Sequence, residues 1–314
     1  MIKSKLHRII PLTIIAVVVA IVLSVVIFPV ISRAVKLPSA HEVSGETSKH
    51  GYIERIFTDG KGQSLVYYLY IPSNYNPQQK YPLVLLLHGD GEKSNPKKTA
   101  AQNQTALLKQ LYVRVWTSAY SAPDNPQIQQ RWPCFVVVPQ ITTSQQWINV
   151  SLHKGFYMQG FYVQKKQPAI GLLMTMHLLD ALQREYSGID ASRRYITGIS
   201  SGAFGVWDAI ERWPNYFAAA APISGAGDLA KAALLKNLPI WIFHGGRDNV
   251  VTVRGSRNMF AAIRKAGGKP YYTEFPGLKH GVWGNVYALP GAPQPVATFF
   301  PWLFSQRWGG TLRH

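Results

Sequence analysis

Short apolar runs alternate with longer stretches of helical period along most of this chain. "SLVYYLYI" (Ser64–Ile71) alternates and reads as an early antiparallel strand. Six further runs read as buried strands: Tyr81–Gly89, Cys134–Gln140, Arg194–Ile199, Phe217–Ser224, Pro239–Gly245 and Pro270–Gly277. Near-continuous apolar strands are expected where both faces of a sheet are covered. Ala169–Ser187 and Val253–Gly268 lie between them and have helical spacing. The first places Leu172, Met176, Leu179 and Leu182 on one face, and His177 among them reads as helix surface or core. The second ends in Gly267-Gly268, a C-cap signal. Strands alternating with helices predict an α/β fold whose mostly parallel central sheet carries helices on both faces.

The N-terminus breaks this pattern. Lys3, Lys5 and Arg8 precede a run from Ile9 to Ser32 that holds no charge. As a helix those residues would extend about 36 Å, enough for a bilayer core of roughly 30 Å. The run exceeds the usual h-region of a signal peptide. Residues 1–34 are therefore read as a membrane anchor or signal segment, with cleavage sites after Ala34 or Ala40 as the alternative. The flanking charges place the N-terminus inside and the rest outside. Residues 35–50 read as a polar tether and 51–314 as the globular domain.

The 314 residues carry 33 Lys+Arg against 15 Asp+Glu, a formal charge of +18. The bases are scattered and no nucleic-acid motif accompanies them, so a nucleic-acid partner is not expected. Cys134 is the only cysteine and stands within a strand-like run. It reads as a buried thiol and leaves the redox compartment open.

The polar residues at strand ends carry the chemistry. In open α/β sheets sites form at the carboxyl ends of strands. Ser200, His88 with Asp90, Asp248 and His280 each follow a different predicted strand. Ser200 lies in Gly198-Ile199-Ser200-Ser201-Gly202, a G-x-S-x-G pattern where an apolar run gives way to a helix. A serine hydroxyl becomes a good nucleophile when a base takes its proton. His280 suits that base, and Asp248 suits the acid that fixes its tautomer. Asp228 is a rival acid whose place at a helix start also suits an N-cap. An oxyanion needs backbone N–H donors. Ser201 supplies one and the loop His88–Gly91 a second, from Asp90. His88 and His244 read as loop-shaping residues.

From about Tyr68 to Arg307 the chain resembles the predicted-peptidase branch of the α/β-hydrolases, and polyhydroxybutyrate-depolymerase-like and feruloyl-esterase-like carboxylesterases. The matching pieces are "YLYIPSNYNPQQKYPLVLLLHGDGE", "FVVVPQ", "RRYITGISSGAFGVWDAIERWPNYFAAAAPISGAGD", "LPIWIFHGGRDNVVTV" and "YTEFPGLKHGVWGNVY". The resemblance puts nucleophile, acid and base on Ser200, Asp248 and His280 and the oxyanion loop on His88–Gly91. It implies a serine hydrolase that cleaves carboxylic esters through an acyl-enzyme, with no metal or organic cofactor. A peptidase of the same fold is the alternative, and a membrane-tethered pseudo-hydrolase that binds without turnover is another. Ser201 and Ala203 stand where the family usually has methionine and glycine. Asp90 stands where it has a small neutral residue, so its carboxylate is expected to turn outward, towards Lys93, Lys97 or Lys98. In the aromatic segment after the Cys134–Gln140 strand, Trp147 is the first candidate for substrate contact, followed by Trp283 beside His280. The expected partners are a small-molecule or polymer ester and a membrane; oligomeric state is left open.

Overall fold

Nine strands form one sheet among the residues described, which in this computed structural model are 40–42, 50–117, 128–153 and 155–309. The strands are β1 Ala40–Glu42, β2 Ile53–Thr58, β3 Ser64–Tyr70, β4 Tyr81–Leu87, β5 Phe135–Gln140, β6 Ile189–Ile199, β7 Ala219–Ile223, β8 Trp241–Gly245 and β9 Tyr271–Phe275. Their order is β1-β2-β3-β5-β4-β6-β7-β8-β9. The pairs β1–β2, β2–β3 and β3–β5 are antiparallel; from β5 to β9 every pair is parallel. The described helices are α1 Ala100–Leu108, α2 Leu111–Arg114, α3 Ile128–Arg131, α4 Ile170–Glu185, α5 Ser201–Arg212, α6 Arg254–Lys265, α7 Trp283–Val286 and α8 Phe299–Ser305.

The apolar runs are explained by packing on both faces. Leu83, Leu85 and Leu87 of β4 join one core with α4, α5 and α6. Val84 and Leu86 join the other, with α1, α2, α7 and α8. His177 is exposed, and Gly267 has φ +87°, ending α6 as its glycine pair implies.

Two strands go beyond the sequence reading. In β2, Arg55 and Phe57 share the buried face, and Arg55 is neutralised there by Glu185 at 2.7 Å. A charge facing the core interrupts the alternation that marks a strand. The segment read as a polar tether supplies β1, where Ala40, His41 and Glu42 oppose Phe57, Ile56 and Arg55. The uncharged run Ile9–Ser32 lies outside the described residues. Among those described, no helix is long and apolar enough to cross a membrane.

Candidate active site

Ser200 sits between the end of β6 and the start of α5 with φ 53° and ψ −124°. Few non-glycine residues occupy that region, and such strain persists only where the surroundings enforce it. Its N–H is held by Ile223 O at 2.9 Å. The flanking glycines allow close approach. A Cβ on Gly198 would lie 2.7 Å from Gly202 O, and one on Gly202 would run into the Leu87 and His88 carbonyls. The elbow therefore rests directly on the end of β4.

Three strand ends converge here. His280 Nε2 lies 2.9 Å from Ser200 Oγ, and His280 Nδ1 lies 2.7 Å from Asp248 Oδ2. Asp248 Oδ1 accepts the N–H groups of Val250 and Val251, both at 2.9 Å. Burial alone would raise the Asp248 carboxyl. Hydrogen bonds from His244, His280 and those two amides outweigh it and hold the group well below the usual carboxylate range. It stays charged and faces Nδ1, so the neutral imidazole keeps Nε2 free to accept a proton. The loops of acid and base are joined by Arg247 N–H to Leu278 O at 2.9 Å. Gly245 lets β8 pass under Lys279, whose carbonyl a Cβ would strike. Ser224 Oγ donates to His280 O at 3.2 Å.

Asp228 is elsewhere. It caps the turn of Leu229–Leu235, taking Ala230 N–H at 3.0 Å and Gln164 N–H at 2.9 Å. The structure thus brings Ser200, Asp248 and His280 together and leaves the rival acid outside.

The loop after β4 lies over the elbow; a Cβ on Gly89 would be 3.6 Å from Ser200 Cβ. Among the described residues no acceptor takes the N–H of Asp90 or of Ser201. Both are available to an oxyanion. The loop is fixed by His88, which is fully buried. Its Nδ1 donates to Gly89 O at 2.6 Å, and its Nε2 accepts Ile141 N–H at 3.3 Å. Burial pushes the imidazole down to about 4, so His88 is neutral and the tautomer is set by its partners.

Trp147 differs from its sequence reading. It is 1% exposed, and its indole N–H donates to His88 O at 2.9 Å. It therefore supports the loop after β4 from within and offers no face to a substrate. An aromatic residue beside a strand end has the same signature in sequence whether it points to the cleft or beneath it. Trp283 is partly exposed, and its ring meets that of His280 edge-on at 5.6 Å. Phe156, Tyr157 and Tyr162 pack on Phe204 of α5. The Asp90 side chain is 45% exposed and pairs with buried Lys93 at 2.7 Å, while Tyr157 OH donates to it at 3.0 Å. Burial opposes its charge, but the Lys93 pair and the Tyr157 hydroxyl lower its carboxyl overall.

A strained serine at the end of a parallel strand, a helix N-terminus behind it, and an acid and base on later loops define the α/β-hydrolase arrangement. Comparison with known proteins agrees. A bifunctional acetylxylan esterase/xylanase of Neocallimastix patriciarum is 24% identical over 250 residues, covering 77% of this chain and 28% of that protein. A thermostable esterase superposes with a TM-score of 0.61 at 32% identity, over 82% of this chain and 63% of its own. A feruloyl esterase module from Clostridium thermocellum, complexed with sinapinate, gives a TM-score of 0.55 at 16% identity and is covered over 99% of its length. That last likeness is one of fold. The chain spans just over a quarter of the acetylxylan esterase/xylanase and under two thirds of the thermostable esterase. No protein-family model matches the sequence. The chain is an α/β-hydrolase in fold.

Proposed function

We propose that this protein is a serine hydrolase that cleaves carboxylic esters through an acyl-enzyme. The observation that carries the reading is the hydrogen-bonded line from Ser200 Oγ through His280 to Asp248 on a strained elbow. Ser200 Oγ attacks the ester carbonyl while His280 Nε2 takes its proton. The Asp90 and Ser201 N–H groups receive the negative charge that develops on the carbonyl oxygen. The tetrahedral intermediate collapses, and His280 returns the proton to the departing alkoxide. Water then repeats the sequence on the acyl-enzyme, releasing the acid and restoring Ser200. Asp248 stabilises the imidazolium formed in both halves. The likeness to proteins named as esterases favours an ester over a peptide bond. The acetylxylan esterase relative makes short acyl esters of carbohydrates the first substrates to try.

Hydrolysis of p-nitrophenyl acetate and labelling by a fluorophosphonate test this reading. Wild-type protein hydrolyses the ester and labels stoichiometrically. Ser200→Ala loses both, whereas Ser201→Ala, whose N–H is retained, keeps most of its rate. Equal loss in the two variants leaves Ser200 without its assigned role. Turnover of peptide substrates alone moves the protein to the peptidase alternative. Folded wild-type protein that neither labels nor turns over is a binding protein.

The uncharged run Ile9–Ser32 supports an N-terminal membrane anchor with the hydrolase domain extracytoplasmic, or a secreted domain if the segment is cleaved.

A further inference from the structure

We propose that His244 is a positioning residue that divides the Asp248 carboxylate between two imidazoles and so sets how strongly His280 holds its proton. The inference rests on the ester-hydrolase reading above. His244 is the penultimate residue of β8, four residues before Asp248, and is fully buried. Its Nε2 lies 3.1 Å from Asp248 Oδ2 and 3.0 Å from Val251 O. Both are acceptors, so Nε2 carries a hydrogen and donates to them. Oδ2 is the same oxygen that receives His280 Nδ1, while Oδ1 is already taken by two backbone amides. Oδ2 is thus the one carboxylate oxygen that serves the base, and His244 takes a share of it.

The other side of the ring also has a polar partner. His244 Nδ1 is 2.7 Å from Ser256 Oγ, on α6. That hydroxyl can donate to Nδ1, or turn to Gly225 O at 3.4 Å and accept a hydrogen from Nδ1. With the hydrogen on Nε2, Nδ1 is an acceptor, and this hydroxyl satisfies it and holds the ring so that Nε2 faces Asp248. Asp248 and His280 come from the loops. Glu274 of β9 stands opposite His244 in register and is paired with Arg257 of α6 at 2.6 Å.

A carboxylate oxygen shared between two donors stabilises an imidazolium less than one serving a single donor. With His244 removed, Oδ2 serves His280 alone. The imidazolium of His280 becomes more favourable, and the base is protonated at higher pH. The acidic limb of the pH profile of kcat/KM reports that protonation.

The test uses the full-length protein and p-nitrophenyl acetate from pH 5 to 9. It compares wild type, His244→Ala, His244→Gln and Ser256→Ala. In His244→Ala the acidic limb moves up by about half to one pH unit, with KM little changed. His244→Gln, whose amide N–H can reach the same oxygen, restores the limb towards wild type. Ser256→Ala disturbs only the far side of the ring and moves the limb in the same direction by less; it carries the test if His244→Ala does not fold. A limb that stays at the wild-type pH in every soluble variant, whatever the loss of rate, overturns the proposal and leaves His244 as packing. Wild-type protein inactive on the ester, with Ser200 unlabelled by fluorophosphonate, is a different failure. It removes the hydrolase reading itself.

Discussion

At the scale of single residues, Asp90 presents the sharpest conflict. In the proposed mechanism its N–H lies beside an oxyanion, yet its side chain is a carboxylate. At roughly 5 Å and an effective dielectric near 20, an unpaired carboxylate would oppose the oxyanion by about 3 kcal/mol. That would slow the reaction by about two orders of magnitude. The structure resolves the conflict with Lys93, which is buried and held between Asp90 at 2.7 Å and Gln146 at 2.9 Å. Of the three lysines that follow the loop, it is the one that pairs. The Tyr157 hydroxyl binds the other oxygen. Asp90→Asn keeps the backbone donor and one acceptor, so kcat/KM on a neutral ester should change by less than about tenfold. A hundredfold gain would show a carboxylate acting against the oxyanion. A hundredfold loss would show that the carboxylate itself takes part. Lys93 was legible only as one of several nearby cations. Tyr157 was not legible as its partner, because 67 residues separate it from Asp90.

At the scale of elements, the loop after β4 depends on one buried histidine. His88 is held neutral in the fold, at about 4, whereas in the unfolded chain it titrates near 6.5. Between these values the unfolded state binds a proton that the folded state refuses. The neutral-His88 contribution is therefore complete above pH 6.5 and is lost as pH falls towards 4. The shift corresponds to about 3 kcal/mol. Urea denaturation at pH 7, 5.5 and 4.5 measures it. Wild-type protein should lose stability across that window, and His88→Asn, less stable at pH 7, should lose less. Parallel slopes would assign the acid sensitivity elsewhere. The elements themselves were mostly legible, because β4, β5, β7 and β8 are apolar runs bounded by turns and packing on both faces leaves that signature; β6 is buried throughout only from Arg194 to Ile199, and β9, at the sheet edge, buries Phe275. β2 was hidden by the inward Arg55, and β1 is three residues long. The same logic separates the site residues. Ser200, Asp248 and His280 announce themselves by type at strand ends. His244, also at a strand end, could not be told from a loop-shaping residue until its distance to Asp248 was known.

At the scale of the whole molecule, the run Ile9–Ser32 and the basic surface offer two routes to a membrane that predict different behaviour. A chain of formal charge +18 can adhere to anionic lipid through its surface alone. Salt near 1 M shortens the screening length to about 3 Å and releases such a protein. A 24-residue uncharged segment that spanned the bilayer would be indifferent to salt. Full-length protein should therefore stay in the membrane fraction through both 1 M salt and alkaline carbonate. Release by salt would make the attachment electrostatic. A soluble product shortened at its N-terminus would show cleavage, and the fold discriminates between the two sites. Cleavage after Ala40 would sever β1, whose Ala40 opposes Phe57, whereas cleavage after Ala34 leaves all three β1 residues on the sheet. A mature chain should then begin at Val35, and mass spectrometry of its N-terminal peptide checks this.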